Sequence, residues 1–205
     1  MRAVRITIMT PAPDADPRPL PREPLALDLL NTQWVSAEGP ADLLATPEGT
    51  RAWLAAVGLA AAPAPRTQEA LVQARQAIRD VVSGHDGAAD RLNAVLGHGR
   101  LRLSLGPDLT PEQALEADGA AWRPAVMAAA SLLDLLRQAP GRIRSCQHPD
   151  CVLWFYDTTR NGTRRWCSMA VCGNRAKARR NYDRVRRPGT AAPAGQPGRR
   201  LGNNG

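Results

Sequence analysis

The spacing of cysteine constrains the fold of this 205-residue chain more than any other feature, because all of its cysteines fall within 27 consecutive residues. They form two C-x4-C pairs that are fifteen residues apart: Cys146, Cys151, Cys167 and Cys172. Pairs separated by about two to four residues are typical of structural zinc sites. Two disulfides and a four-cysteine iron–sulfur cluster are the alternatives, and disulfides would need an oxidising compartment. We therefore expect one structural zinc ion held by the four thiolates.

A closed shell of four thiolates leaves no open position for water, so catalysis at the metal is not expected. His148 is a candidate replacement ligand, and a solvated turn histidine beside Pro149 is the alternative. Clustered cysteines without a secretion signal indicate a reducing compartment. The apolar start of the chain is interrupted by arginine, and no run approaches the ~20 apolar residues of a membrane span. The sequence therefore favours a cytoplasmic protein without a membrane partner.

The net charge of +8 is concentrated around the cysteines. Residues 1–141 hold 13 basic and 16 acidic side chains, whereas residues 142–187 hold 12 basic and 3 acidic ones. Residues 10–24 hold six prolines in fifteen positions, and residues 188–205 are mostly glycine, proline and alanine. We therefore predict four segments: a flexible leader over 1–24, a mainly helical domain over 25–141, a zinc finger over 142–187 and a disordered tail over 188–205.

Helical periodicity dominates the first domain. The predicted helices cover residues 25–34, 50–57, a longer segment capped by Thr67, 89–96 and 122–138. We expect the longer helix to bury Leu71, Ala74, Ile78 and Val82. We expect the last helix to bury Val126, Met127, Ala130, Leu133 and Leu136. Between these helices an alternation of leucine with polar residues predicts a short strand that needs a partner, at Leu101, Leu103 and Leu105.

The segment after Gly141 predicts a treble-clef arrangement of knuckle, β-hairpin and helix. Residues 152–157 are strand-like, Asn161-Gly162 is a tight-turn signal, and residues 163–166 would return antiparallel. The second cysteine pair would then open a long helix, whose first-turn N–H groups favour thiolates. The expected fold class is α+β: a mainly helical N-terminal domain with a short strand element, followed by a small treble-clef-like zinc finger.

The final helix is strongly cationic, since residues 175–187 hold seven basic side chains and one acidic one. One narrow apolar strip would remain for packing, formed by Val171, Ala178, Tyr182 and Val185. Such self-repulsion indicates an anionic partner. A solvated charged helix, an acidic protein and an anionic lipid surface are the alternatives to nucleic acid.

Three segments of the predicted zinc finger over 142–187 closely resemble the CGNR zinc-finger family: Asp157-Thr158-Thr159-Arg160-Asn161, Arg165-Trp166-Cys167-Ser168-Met169 and Cys172-Gly173-Asn174-Arg175-Ala176-Lys177. The first domain is similar to the ABATE domain that precedes this finger, through Leu25-Ala26-Leu27-Asp28-Leu29-Leu30-Asn31-Thr32, Asp42-Leu43-Leu44 and Trp53-Leu54. The resemblance implies a bacterial, cytoplasmic, stress-induced regulator of transcription, with zinc on the four cysteines and a finger that binds nucleic acid. Asn181 stands before Tyr182 where the family often has histidine, so no role of that histidine carries over.

The first functional hypothesis is a transcription regulator that docks its basic helix on duplex DNA. Residues near the helix start would reach bases or the nearest phosphates: Arg175, Lys177 and Arg179. Four further cations would hold the backbone: Arg164, Arg165, Arg180 and Arg184. Asn174 would either read adenine or brace the knuckle by hydrogen bonds.

Two further hypotheses belong to other functional classes. An RNA-binding factor would use the same module and is favoured if Trp154 or Tyr156 is exposed for base stacking, whereas core packing is the other assignment for these rings. An enzyme would place its chemistry in the first domain, but no nucleophile–base pair or phosphate loop is found there, so no enzymatic activity is expected. The architecture favours a sensing or homodimerising first domain, with an unknown small-molecule ligand. The polar residues around the first apolar segment of this domain, such as Asp28 and Asn31, are interpreted as helix caps and core residues.

Overall fold

The computed structural model describes residues 16–59 and 65–186, so the tail predicted over 188–205 lies outside it. The described chain is α+β and about half helical, which confirms the predicted fold class. Its helices are α1 (Leu25–Leu30), α2 (Pro47–Ala56), α3 (Pro65–Ser83), α4 (Ala88–Leu96), α5 (Arg123–Gln138) and α6 (Asn174–Arg186). Its strands form three separate antiparallel pairs: β1 (Gln33–Ser36) with β2 (Gly39–Asp42), β3 (Gly99–Leu105) with β4 (Pro111–Ala117), and β5 (Ile143–Ser145) with β6 (Trp154–Tyr156).

The hydrophobic core lies between α1, α3 and α5, with Trp53 of α2 fully buried in it. All six residues of α1 are buried, as expected for a helix that is apolar on nearly every face. Helix α3 buries Leu71, Ala74 and Ile78 as predicted, and Val82 packs partly buried against the same core. None of the described helices is both long enough and apolar enough to cross a bilayer.

Helix α5 buries a different stripe from the predicted one. Val126 and Met127 are buried as predicted, but Leu132 and Leu135 are the leucines that reach the core. The other predicted inward residues are only partly buried: Ala130, Leu133 and Leu136. The physical reason is that α5 packs against three helices, α1, α3 and α4, so its buried surface is wider than one helical face.

The end of the leader is held against α1 by the buried carboxylate of Asp28. This carboxylate accepts hydrogen bonds from the Arg18 guanidinium and, at 2.9 Å, from Nε1 of Trp53. Arg18 is itself buried, and a buried guanidinium is stable only when it is paired in this way. A specific ion pair therefore holds residues 16–24, the end of the leader predicted over 1–24. Residues 1–15 lie outside the described residues, so the flexible leader stays a prediction.

Helix α1 ends at Leu30, so the helix predicted over 25–34 is too long. Thr32 turns back onto the helix and donates its hydroxyl to the Leu29 carbonyl at 2.7 Å. The buried Arg75 then donates to Thr32 Oγ1 at 2.8 Å and to both carboxylate oxygens of Asp42, at 2.6 and 2.7 Å. This arginine fixes the entry and exit of the β1–β2 pair, and the chain leaves the helix to meet it.

The other helices differ from the predictions mainly at their ends. Helix α2 begins at Pro47 because Thr46 caps it by accepting the Gly49 N–H at 3.0 Å. It ends before Gly58, whose φ of +69° suits glycine. Thr67 lies inside α3 with its side chain buried, so the capping role predicted for Thr67 is wrong. The predicted helix over 89–96 is confirmed as α4.

The predicted leucine strand is confirmed as β3, and β4 is the partner that it needed. Both faces of this ribbon are largely exposed. The leucines of one face are 57%, 67% and 61% exposed, respectively: Leu101, Leu103 and Leu105. On the other face Arg102 pairs with Glu116 at 2.6 Å. The ribbon therefore presents one apolar face and one charge-compensated face to solvent.

Candidate metal centre and nucleic-acid interface

The first cysteine knuckle, residues 146–151, forms the turn between strands β5 and β6. The Cys146 N–H donates to the Leu153 carbonyl at 2.9 Å and extends the ladder, and the Cys151 N–H donates to the His148 carbonyl at 3.0 Å. The hairpin predicted between residues 152–157 and 163–166 is wrong, because β6 pairs with β5. The treble-clef order of knuckle, hairpin and helix is nevertheless present, with the knuckle at the tip of the hairpin.

The Asn161-Gly162 turn closes a loop that the carboxylate of Asp157 organises. Asp157 is fully buried and accepts the Thr159 N–H at 2.9 Å, the Thr159 hydroxyl at 2.6 Å and the Arg164 N–H at 2.9 Å. Burial alone would raise the pKa of Asp157, but these hydrogen bonds hold it below the usual value. The loop thus brings the second cysteine pair back beside the first without a second ladder.

The second knuckle is a single π-helical turn, Met169–Gly173, that leads directly into α6. Ser168 caps the turn by accepting the Val171 N–H at 3.4 Å, and the Gly173 N–H donates to the Ser168 carbonyl at 2.9 Å. The prediction that the second cysteine pair opens an α-helix is therefore corrected: Cys167 precedes the π-turn, and Cys172 lies buried within it. A Cβ at Gly173 would lie 2.8 Å from Met169 Sδ, so the glycine permits the close packing of this turn.

The four predicted ligands converge at one point. All four Sγ atoms lie within 4.8 Å of one another, with Cys151 and Cys167 at 3.8 Å and Cys167 and Cys172 at 3.6 Å. A tetrahedral site with Zn–S bonds of about 2.3 Å places its sulfurs about 3.8 Å apart. The cluster therefore fits one structural zinc ion. These distances are far longer than a disulfide bond, and the four cysteines are free thiols.

Without a cation the cluster cannot hold four thiolates. The hydrogen bond with Cys167 lowers the pKa of Cys151 to about 5, whereas burial raises the pKa of Cys172 to about 12. Four thiolates in such a buried cluster are stable together only around a metal ion. His148 is buried beside the knuckle and accepts the Asp150 N–H at 3.3 Å, and among the described residues it is not a member of the metal-binding group.

The part of the chain that holds the cysteines, residues 142–186, is the metal module. The side chain of Asn31 joins it to the helical domain. Its Oδ1 accepts the Trp154 N–H at 2.9 Å, and its Nδ2 donates to the Trp154 carbonyl at 2.9 Å. Asn31 is fully buried, in agreement with the interpretation of this residue as cap and core. Its partner could not be found from local patterns, because the two residues are 123 positions apart.

A second link between the two parts of the chain is Glu23. Its Oε2 accepts the Tyr156 N–H at 2.9 Å, and its Oε1 lies 3.5 Å from Arg164 Nη1. Burial raises the pKa of Glu23 in spite of these partners. The two links place the metal module directly on α1 and the leader, so the finger is packed onto the helical domain.

The Arg164 side chain bonds and packs against other residues of the metal module. It donates to the carbonyls of Trp166 at 3.0 Å and Cys167 at 2.6 Å, and its guanidinium lies over the Phe155 ring, 4.1 Å from the centroid. These contacts hold the chain that precedes the second knuckle. Arg165 is exposed, by contrast: its guanidinium donates to Gln147 Oε1 at 2.6 Å and lies over the Trp166 ring, 5.3 Å from the centroid.

Helix α6 follows the metal centre directly, and most of its described side chains are exposed. Three of its predicted contact residues are exposed: Arg175, Lys177 and Arg179. Asn174 is exposed as well and donates to the Ala170 carbonyl at 3.1 Å, which braces the π-turn. The side chains of Arg180, Arg184 and Val185 lie outside the described part of the structure.

The apolar strip predicted to pack α6 against the module is itself exposed. Val171 is 41% and Tyr182 58% exposed, and Ala178 is exposed too. The prediction of a packed strip is therefore wrong for these residues, because the described part of α6 packs mainly on the π-turn that precedes it.

The aromatic side chains of β6 belong to the core. Phe155 is fully buried, and Trp154 and Tyr156 are partly buried against the core of the helical domain. They leave no open stacking platform on this strand, in agreement with the core-packing assignment.

Two family models match the chain. Residues 142–185 match the CGNR zinc finger, and residues 23–139 match the ABATE family, described as "Putative stress-induced transcription regulator". These descriptions are of regulator and zinc-finger types, not of enzymes. No curated protein matches the chain.

Proposed function

Because the chain belongs to the ABATE family and carries a CGNR zinc finger, we propose that it is a transcription regulator that binds duplex DNA through helix α6. The single observation that carries the proposal is that three cations of α6 are exposed and, within the described part of the chain, unpaired. Arg175, Lys177 and Arg179 are exposed, and none has a hydrogen-bond or ion-pair partner among the described residues. The buried cations Arg18 and Arg75, by contrast, are paired with carboxylates.

The placement of these cations suits a groove better than a flat surface. Arg175 and Arg179 are four residues apart and share one side of the helix, whereas Lys177 lies on the opposite side. A helix about 10–12 Å wide that carries cations on two sides can contact both phosphate walls of the major groove of B-DNA, which is about 12 Å wide. Phosphate contacts would position the helix, and base edges would be read near its start.

Duplex DNA is favoured over RNA for two reasons. The deep, narrow major groove of A-form RNA does not admit a helix, and the β6 aromatics are packed and so do not offer a stacking surface for unpaired bases. RNA binding by the same module is the alternative.

Binding of the zinc-loaded full chain to duplex DNA, single-stranded DNA and structured RNA across a salt series tests the proposal. The triple variant R175A/K177A/R179A should weaken duplex binding and flatten the log–log salt slope by about 3, because each lost phosphate contact removes about 0.9. The matched control is R51A/R66A/R123A, which removes the same charge from exposed positions of the helical domain. Equal losses in both variants would refute a specific role of α6, and tighter binding to structured RNA would favour the alternative.

The proposal includes a homodimer, formed through the leucine face of β3. Leu101, Leu103 and Leu105 form an apolar face that two copies can pack against each other as facing sheets. A dimer would present two α6 helices to two half-sites. Light scattering should show that Leu103→Gln reduces the dimer fraction and that Arg102→Gln, on the opposite face, does not. A monomeric wild type would refute this part of the proposal.

The proposal also places the protein in the cytoplasm and assigns signal reception to the helical domain. Four free thiols persist in a reducing compartment. Asn31 and Glu23 supply a route by which a ligand of the helical domain could act on the module. A thermal-shift screen of small molecules on the full chain tests this role, with Asn31→Ala as the uncoupled variant. A ligand that stabilises the helical domain and leaves DNA affinity unchanged would contradict it.

A further inference from the structure

A cleft of about 180 Å³ lies beside the cysteine cluster, where the helical domain meets the metal module. One wall is the outer part of strand β1, with Trp34, Val35 and Ser36. The other wall includes three of the four cysteines: Cys151, Cys167 and Cys172. The volume accommodates a molecule of a few heavy atoms. The cleft therefore gives a small solute a path to sulfur atoms that are otherwise shielded.

The cysteines differ in their access to solvent. Cys146, Cys167 and Cys172 are buried, at 6%, 4% and 4% exposure, whereas Cys151 is partly exposed. Cys151 is thus the sulfur that a solute in the cleft meets first. Reactivity of a cysteine depends on such access as well as on thiolate character, and a metal-bound sulfur is a thiolate.

The cleft also holds a positive charge. Arg175 lines it and has no partner among the described residues, so its guanidinium is free to stabilise negative charge that develops on a reacting oxygen. Asp150 lies at the same cleft with its side chain 75% exposed to solvent, where its charge is screened.

We propose that Cys151 is a modification site at which a small hydroperoxide, admitted by this cleft, oxidises the metal centre to a Cys151–Cys167 disulfide. Cys167 is a partner within reach, because the Sγ atoms of Cys151 and Cys167 are 3.8 Å apart. Formation of an S–S bond requires an approach of only about 1.8 Å.

The reaction balances in two steps. The Cys151 thiolate attacks one oxygen of the hydroperoxide, so that an S–O bond forms, the O–O bond breaks and the leaving alkoxide or hydroxide takes a proton. The Cys167 thiolate then attacks the Cys151 sulfur, so that the S–S bond forms, the S–O bond breaks and hydroxide leaves and is protonated to water. The two thiolates lose two electrons, which reduce the peroxide to an alcohol or water, and the site loses two of its four ligands.

The experiment exposes the zinc-loaded full chain to limiting hydrogen peroxide. Released zinc is followed with a chromogenic chelator, and the first disulfide is mapped by alkylation and mass spectrometry. We expect a Cys151–Cys167 disulfide that appears with the released zinc. No nucleic acid is present, so the result is independent of the proposed DNA binding.

Variants of β1 test the route of access. Val35→Trp should fill the cleft and slow zinc release about fivefold, because the oxidant loses its path to sulfur. Val72→Trp, at a similarly exposed valine of α3, is the matched control and should react like wild type. Ser36→Phe is a second filling variant if V35W does not retain zinc. A first disulfide that omits Cys151, or equal rates in the filled and control variants, would overturn the proposal.

Discussion

The hydrogen bonds between Asn31 and Trp154 give the sharpest test of how the metal module is attached. Replacement of the fully buried Asn31 by alanine removes two bonds of 2.9 Å and one of 3.4 Å to the Leu20 carbonyl, and it leaves the Trp154 N–H and carbonyl unpaired at a partly buried interface. Each unsatisfied buried group costs about 1–3 kcal/mol, so the variant should lose about 2–5 kcal/mol of unfolding free energy. Such a loss is a large part of the stability of an ordinary domain.

Urea unfolding of the zinc-saturated chain, followed by circular dichroism and tryptophan fluorescence, measures this loss. Asn31→Asp keeps an acceptor for the Trp154 N–H but places a carboxylate against its carbonyl, so it should be at least as destabilising as alanine. Asn93→Ala, at an exposed position of α4, is the control and should change stability by less than about 0.5 kcal/mol. If Asn31→Ala unfolds like this control, the reasoning that this side chain joins the two parts of the chain is refuted.

Three further predictions concern the metal, the second knuckle and pH. Removal of zinc by a chelator under reducing conditions should unfold the module over 142–186 while the helical domain keeps its circular dichroism signal, since so small a unit depends on its metal; an unchanged spectrum would contradict this. Gly173→Ala should leave zinc affinity in a competition titration within about twofold of wild type, because the new Cβ would clash only with Sδ and Cε of Met169, the end of a flexible side chain that is 56% exposed and can turn aside; a large loss of affinity would contradict this. Burial raises the pKa of Asp42, but hydrogen bonds from Arg75 and its neighbours outweigh burial and lower it. This carboxylate therefore contributes stability above its unfolded pKa of about 3.9 that is lost as pH falls through the lower folded value, and Asp42→Asn should flatten that part of the stability–pH curve.

Much of the secondary structure follows from local pattern. Helix α4 and strand β3 lie where periodicity predicts them, because residues at helical or two-residue spacing share one face of their element, whether that face is buried or exposed. Local pattern gives less information about ends and partners. Helix α1 stops at Leu30 because Arg75, far along the chain, binds the residues that follow it.

The hairpin of the metal module shows the same limit. The Asn161-Gly162 pair is a genuine turn, but a turn signal does not specify which strands it joins. The buried Asp157 closes that loop on itself, so strand β6 pairs with the segment before the first knuckle. The sequence does not distinguish Arg164 from its neighbour Arg165. Arg164 packs inward because it donates to the Cys167 carbonyl and lies over the Phe155 ring.

The sequence by itself determined the metal site and the cationic helix, because both depend on residue type and short spacing: two C-x4-C pairs and a run of basic residues. The tertiary structure alone decided that the finger is packed on the helical domain, that a cleft reaches Cys151 and that the apolar strip of α6 is exposed. The reason is physical. Chelation and charge are properties of near neighbours in the chain, whereas packing between segments more than a hundred residues apart depends on shapes and hydrogen-bonding groups that exist only after both segments have folded.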